Sequence, residues 1–221
     1  MDLKEKIEVR IKELAMKEGM VVCGYAKLED VPLPDLARGL TYGISLGYRL
    51  SEVIIESIVD RPTRDYLHHY RQINSLLDQT ALKVTSIIQQ EGYNALPIPA
   101  SQITDWKEIR GSISHKLIAV KSRVAWIGRS SLAVTPDYGA KVRYVSILTD
   151  LPLLTIQPME FGCGDCKRCL EICPCGAIKE TVDKFDKKAC LEQLKIFAKS
   201  ENLGTHYICG LCVKVCHQRT G

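Results

Sequence analysis

Nine of the ten cysteines in this 221-residue chain fall between Cys163 and Cys216, and their spacing is the first feature with chemical content. Cys163, Cys166, Cys169 and Cys173, with Pro174 behind them, form a run in which three thiolates two residues apart wrap one cubane 4Fe-4S cluster. The fourth thiolate, turned away beside the proline, ligates the other cluster. A tight loop with Gly162 and Gly164 lets three thiolates and several amide N–H groups aim at one body. Four cysteines would equally satisfy zinc, but zinc ribbons use two separated pairs and not a triple followed by Cys-Pro. Farther along, Cys209 and Cys212 are spaced for a second cluster, Cys216 stands where the exchanged ligand belongs, and one ligand is missing from that loop. Cys190, on a helix expected to start near Asp186, supplies it. Cluster one then takes Cys163, Cys166, Cys169 and Cys216, and cluster two Cys173, Cys190, Cys209 and Cys212. Cys175 is the alternative to Cys173, with a small apolar filler as its other role, and Cys23 reads as a core residue.

The rest of the chain must hold these ligands. At 46% apolar and 25% charged the composition is that of a globular protein, and its apolar runs, such as Val53 to Ile55, are far too short to span a bilayer. With no apolar segment behind a basic start, the cytoplasm is expected, where thiols stay reduced and cysteine clusters bind metal or do redox chemistry. The formal charge of +4 gives no ground for inferring a nucleic-acid partner, because two cubanes of about −2 each would cancel it.

Apolar spacing predicts a helix over Leu3 to Lys17, strands over Val21 to Leu28 and Leu40 to Tyr48, and a long helix from Arg71 closed by Gly92. Ser112 or Ser114 caps a helix expected to run to about Ala125. Leu132 to Thr135 and Val142 to Thr149 flank the turn residues Pro136-Asp137-Tyr138-Gly139 and are expected to pair as a hairpin. Breakers from Leu151-Pro152 to Phe161-Gly162 put a domain boundary near Pro158, giving domains 1–158 and 159–221.

The stretch Trp126-Ile127-Gly128-Arg129-Ser130-Ser131-Leu132 is followed by Thr135-Pro136-Asp137-Tyr138-Gly139, Leu148-Thr149-Asp150-Leu151-Pro152-Leu153 and the cysteines with Cys190. Together these resemble the epoxyqueuosine reductase family and its relatives, the reductive dehalogenases. Arg64-Asp65-Tyr66-Leu67-His68 looks like a further segment of the reductases. The resemblance implies an α+β fold, in which a nitroreductase-like α/β domain that holds cobalamin adjoins a two-cluster ferredoxin-like domain. It implies Trp126, Gly128, Ser130, Tyr138 and Gly139 as cofactor-binding residues, and a flavodoxin- or ferredoxin-type low-potential electron donor. Reduction of a substrate through cobalamin is then the expected activity, and a pure electron carrier or corrinoid activator is the alternative.

The sequence departs from that family in three places. Ile109-Arg110-Gly111-Ser112 stands where the reductases carry Asp-Ser-Ala-Pro, which leaves Asp105, Glu108 and His115 as substitute proton donors. Arg123-Val124-Ala125 replaces a small Gly-Leu-Gly. The sequence ends soon after Cys216, without the helical extension by which the reductases grip tRNA, which makes tRNA a weaker expectation as substrate.

Anaerobically purified protein is expected to carry about eight irons and eight sulfides. Four irons with one zinc would replace the two-cluster assignment. Cys190→Ser is expected to damage one cluster and spare the other, with Cys175→Ser and Cys23→Ser near wild type in iron and visible spectrum. Iron loss from Cys175→Ser but not from Cys190→Ser would overturn the ligand set.

Overall fold

The computed structural model describes residues 3–105, 110–154 and 159–217. Among them the elements run α1 (Leu3–Lys17), β1 (Val22–Lys27), β2 (Tyr42–Arg49), α2 (Glu52–Glu56), α3 (Arg64–Gln90), β3 (Ala95–Ile98), α4 (His115–Lys121), β4 (Trp126–Ile127), β5 (Ala133–Val134), β6 (Val142–Thr149), α5 (Arg168–Glu171), α6 (Lys187–Ser200) and α7 (Leu211–Lys214). The fold is α+β. No helix among the described residues is long and apolar enough to cross a membrane.

Chain contacts divide these elements into two compact units, and the division is not a single cut. The first holds residues 1–49, 73–125 and 143–159; the second holds 50–72, 126–142 and 160–221. The boundary expected near Pro158 lies outside the described residues. The unit that holds the clustered cysteines takes in two upstream segments that cysteine spacing alone does not reveal.

In the first unit a four-stranded sheet has the order β1-β2-β6-β3. β1 and β2 pair antiparallel, with Gly24 opposite Ser45, and β3 pairs antiparallel with β6. The periodicity that predicts α1 buries Ile7, Ile11 and Ala15, and α3 buries Ile73, Leu77, Ala81, Val84 and Ile88 at spacings of three and four residues. α4 packs on β1 and β2, and Ile118 joins Ala26, Leu28, Leu40, Ile98 and Leu148 in one apolar cluster.

Four expectations change. α3 starts at Arg64 rather than Arg71, because the polar and aromatic residues from His68 to Tyr70 hide the first turns from an apolar pattern. β3 was not expected: Pro97 interrupts its short apolar run, yet this strand lies at the sheet edge, where a missing proline N–H costs little. The hairpin of Leu132 to Thr135 with Val142 to Thr149 does not form. β5 pairs instead with β4, Thr135 bridges Gly139, and β6 enters the sheet interior, with seven of its eight residues buried.

α4 is the fourth, ending at Lys121 and not near Ala125. Ser114 caps its start, with Oγ accepting from the Leu117 N–H, and Arg123 follows its end at φ 59, the left-handed conformation that favours glycine. Glycine in the first place of Gly-Leu-Gly suits that backbone. Val124 then fills the space above Gly24, where an added Cβ would lie 2.5 Å from Val124 Cγ1 and 2.6 Å from the Ser122 carbonyl oxygen. Gly24→Ala is therefore expected to destabilise the sheet by about 1–3 kcal/mol, read as a fall of roughly 2–4 °C in Tm per kcal/mol. An unchanged Tm would mean that the segment after α4 yields without cost.

Candidate metal centre

Within the second unit the thiols gather in two neighbouring groups. Burial pushes Cys169 up to about 11, and the charges of Cys216, Cys163 and Cys166 push the same way. Cys216 is also raised, first by burial, with Cys163 and Cys166 again nearby. Those four share one locality. Burial likewise pushes Cys209 up to about 11, with Cys190, Cys173 and Cys175 adding to it. Cys212 is raised by burial and then by Cys209, Cys190, Cys169 and Cys173. Since Cys169 belongs to the first group and acts on Cys212, the groups adjoin. Among the described residues no three His, Cys, Asp or Glu side chains close on a single metal ion.

Some thiols are held in the opposite state. Arg168 Nε donates to Cys166 Sγ at 3.5 Å and draws that thiol below its ordinary value. At Cys173 burial pushes upward, but main-chain N–H groups of Ile178, Ala177 and Cys175 overcome it and lower the pKa. Cys175, whose sulfur lies 3.8 Å from that of Cys173, is raised, by burial first. Of this pair, Cys173 has the surroundings that favour a thiolate.

The upstream segments form walls around the cysteines. From β4, Trp126 Nε1 donates to Cys163 Sγ at 3.4 Å, and its ring packs so closely on Gly162 that an added Cβ would lie 2.7 Å from Cζ2. A Cβ on Gly128 would meet Cys163 Sγ at 3.4 Å. Gly139, at φ 58, has no room for one at all: it would fall 2.2 Å from the Cys216 carbonyl oxygen, and the next residue, Ala140, gives its N–H to the Cys216 thiol.

Arg129 ties the same loop from outside. Its guanidinium donates to the carbonyl oxygens of Glu180 at 2.7 Å, Gly164 at 2.8 Å and Cys166 at 3.1 Å, and it lies 5.3 Å from the Phe161 ring centroid. On the other group, Gly210, at φ 87, packs where a Cβ would sit 2.5 Å from Ile58 Cδ1 and 2.9 Å from the Tyr66 ring. Lys214 donates to the carbonyl oxygens of Ile58 and Glu56 at 2.7 and 3.0 Å. The Arg64 to His68 segment thus packs beside the second cysteine group through Tyr66. Buried Lys141 pairs with Glu52 and stands 3.4 Å from His217 Nδ1.

The remaining candidates separate. His115 has both ring nitrogens engaged, with Ser146 Oγ and the Pro99 carbonyl oxygen, each at 2.9 Å, and burial lowers its pKa; it acts as a neutral strut. Asp105 pairs with Arg110 at 3.1 Å, and Glu108 lies outside the described residues. His69 accepts the Ser51 main-chain N–H at 2.9 Å, while His68 is exposed. Ser130 is buried, and the Tyr138 N–H donates to Thr135 Oγ1. Cys23 is pushed up to about 11 by burial. Sequence reasoning missed Arg129 as a clamp, although it stands inside the Trp126 to Leu132 stretch, and gave no role to Glu52 or Lys141.

No protein-family model matches the chain. Curated relatives do. An epoxyqueuosine reductase of Bacillus anthracis is 31% identical over 118 residues, 50% of this chain and 31% of that protein. That of Escherichia coli K12 is 29% identical over 169 residues, 74% of this chain and 41% of that protein. The chain thus spans about a third to two fifths of the length of these relatives. Among solved structures, a catabolic reductive dehalogenase in complex with 3-bromo-4-hydroxybenzoic acid superposes with a TM-score of 0.73 at 17% identity, over 93% of this chain and 31% of that one. An epoxyqueuosine reductase from Streptococcus thermophilus gives 0.65 at 16% identity, over 96% of this chain and 65% of that one. An epoxyqueuosine reductase bound to an epoxyqueuosine-modified tRNA-Tyr stem loop gives 0.57 at 14% identity, over 79% and 53%. The chain is therefore a relative of the epoxyqueuosine reductases, built on a fold that those enzymes share with reductive dehalogenases.

Proposed function

We propose that this protein is an iron–sulfur redox protein of the epoxyqueuosine reductase kind, holding two 4Fe-4S clusters and passing single electrons to a reducible cofactor. The observation that carries it is the gathering of nine cysteines into two adjoining groups, Cys163, Cys166, Cys169 and Cys216 in one and Cys173, Cys175, Cys190, Cys209 and Cys212 in the other, each walled by residues from outside the cysteine runs. The donor set fits cubanes. Their thiolates stand apart around a body, whereas zinc needs all four at about 2.3 Å from one point. Free thiols in this number suit a reducing compartment such as the cytoplasm.

When bound, the two cubanes supply one-electron storage and transfer. The chain does the rest. Partial burial raises the thiols of Cys209, Cys212 and Cys216, N–H groups point at the sulfurs of Cys163, Cys173 and Cys216, and Arg129 fixes the loop that presents Cys163 and Cys166. The residues assigned to cobalamin by resemblance fit this wall better than a separate corrin floor, since Trp126, Gly128 and Gly139 all face Cys163 or Cys216. A cobalamin-type acceptor is suggested by the related enzymes. tRNA is suggested as a substrate by the reductase solved with a stem loop.

Arg129→Ala removes three hydrogen bonds to carbonyls around the first loop and is expected to cost about half the iron, with the second cluster retained; full iron content would show that the clamp is dispensable. Electron delivery is tested by reducing the protein with a flavodoxin- or ferredoxin-type donor and adding cob(II)alamin at tens of micromolar. Stoichiometric binding and reduction of the cobalt support the cofactor-dependent reductase, and an epoxyqueuosine-containing anticodon stem loop then tests the substrate. Cluster reduction with no cobalamin binding leaves the electron carrier.

A further inference from the structure

We infer that Trp126 sets the reduction potential of cluster one, through its indole N–H on Cys163 Sγ, independently of cluster two. The inference rests on the two-cluster proposal above. Trp126 Nε1 lies 3.4 Å from Cys163 Sγ, and the side chain is 6% exposed, so the bond is sheltered from competing water. It is a donor brought from β4, 37 residues upstream of the ligand, whereas cluster two's Cys173 takes its N–H groups from residues just after it.

The sign follows from charge. A cubane with four thiolates carries about −2 and gains a further negative charge when a low-potential donor adds one electron. An N–H dipole pointed at a ligand sulfur stabilises the more negative state and raises the potential. Admitting water also favours the more highly charged state, so it too raises the potential. Losing the N–H and loosening the packing therefore move the potential in opposite directions. That contrast separates a tuning residue from one that only fills space over Gly162.

The test is an EPR-monitored redox titration of anaerobic, cluster-loaded protein, wild type against Trp126→Phe, with iron measured in parallel. Wild-type protein without about eight irons fails the two-cluster proposal itself, whatever the variant does. With iron retained, one of the two potentials is expected to fall and the other to stay. If both are unchanged, or the affected one rises, the inference is overturned. Should Trp126→Phe lose iron, replacement of Trp126 by benzothienylalanine, which keeps the bicyclic shape and lacks the N–H, decides: a lowered single potential supports the inference. A wild-type potential or loss of iron in that variant as well makes Trp126 a packing residue and overturns it.

Discussion

Crowding of ionisable thiols in a small volume is the constraint on which the second unit depends. Burial raises Cys169, Cys209, Cys212 and Cys216, and each is raised further by its neighbours. On the two-cluster reading proposed above, cluster assembly would take the protons from those groups, and the free energy of metal binding would also organise the segment. The non-cysteine residues answer the same crowding. N–H donors from Trp126, Ala140 and the turn after Cys173 supply positive dipole to sulfur, Arg129 ties the carbonyls of the first cysteine loop, and Lys214 ties α7 to the carbonyls of Glu56 and Ile58.

Exclusion of side chains is the second device. Gly139 and Gly210 adopt left-handed backbone, and each sits where a single methyl group would meet Cys216 or Ile58. In the first unit Gly24 has the same character against Val124 and Ser122. There the neighbour is a sheet-covering segment and the consequence is packing, while at Gly139 and Gly210 the neighbours are Cys216 and the residues beside the second cysteine group.

Much of this was legible in the residues. The spacing of cysteines, the Asp186 cap that starts α6 before Cys190, and the amphipathic α1 all follow from local rules. What failed was nonlocal. Ala133-Val134 and Val142 to Thr149 look like partners because a turn separates them, yet the choice between β4 and the sheet is settled by burial that no local pattern records. Pro97 disguised an edge strand, and His68 to Tyr70 disguised the first turns of α3. The candidate proton donors fared differently. His115 looks reactive in a sequence and is a half-buried strut in the fold, because Ser146 and Pro99, distant in the chain, occupy its ring.

The discontinuity of the second unit bears on how such a protein can be divided or inherited. A gene segment for residues 159–221 would encode all nine clustered cysteines and none of Trp126, Arg129, Gly139 or Ala140, and it would lack Ile58 and Tyr66, against which Gly210 packs. The cysteine run is thus not a cassette that could be cut out and grafted whole. Recombination that exchanged it between relatives would have to carry 50–72 and 126–142 with it, or find the matching wall already present in the recipient.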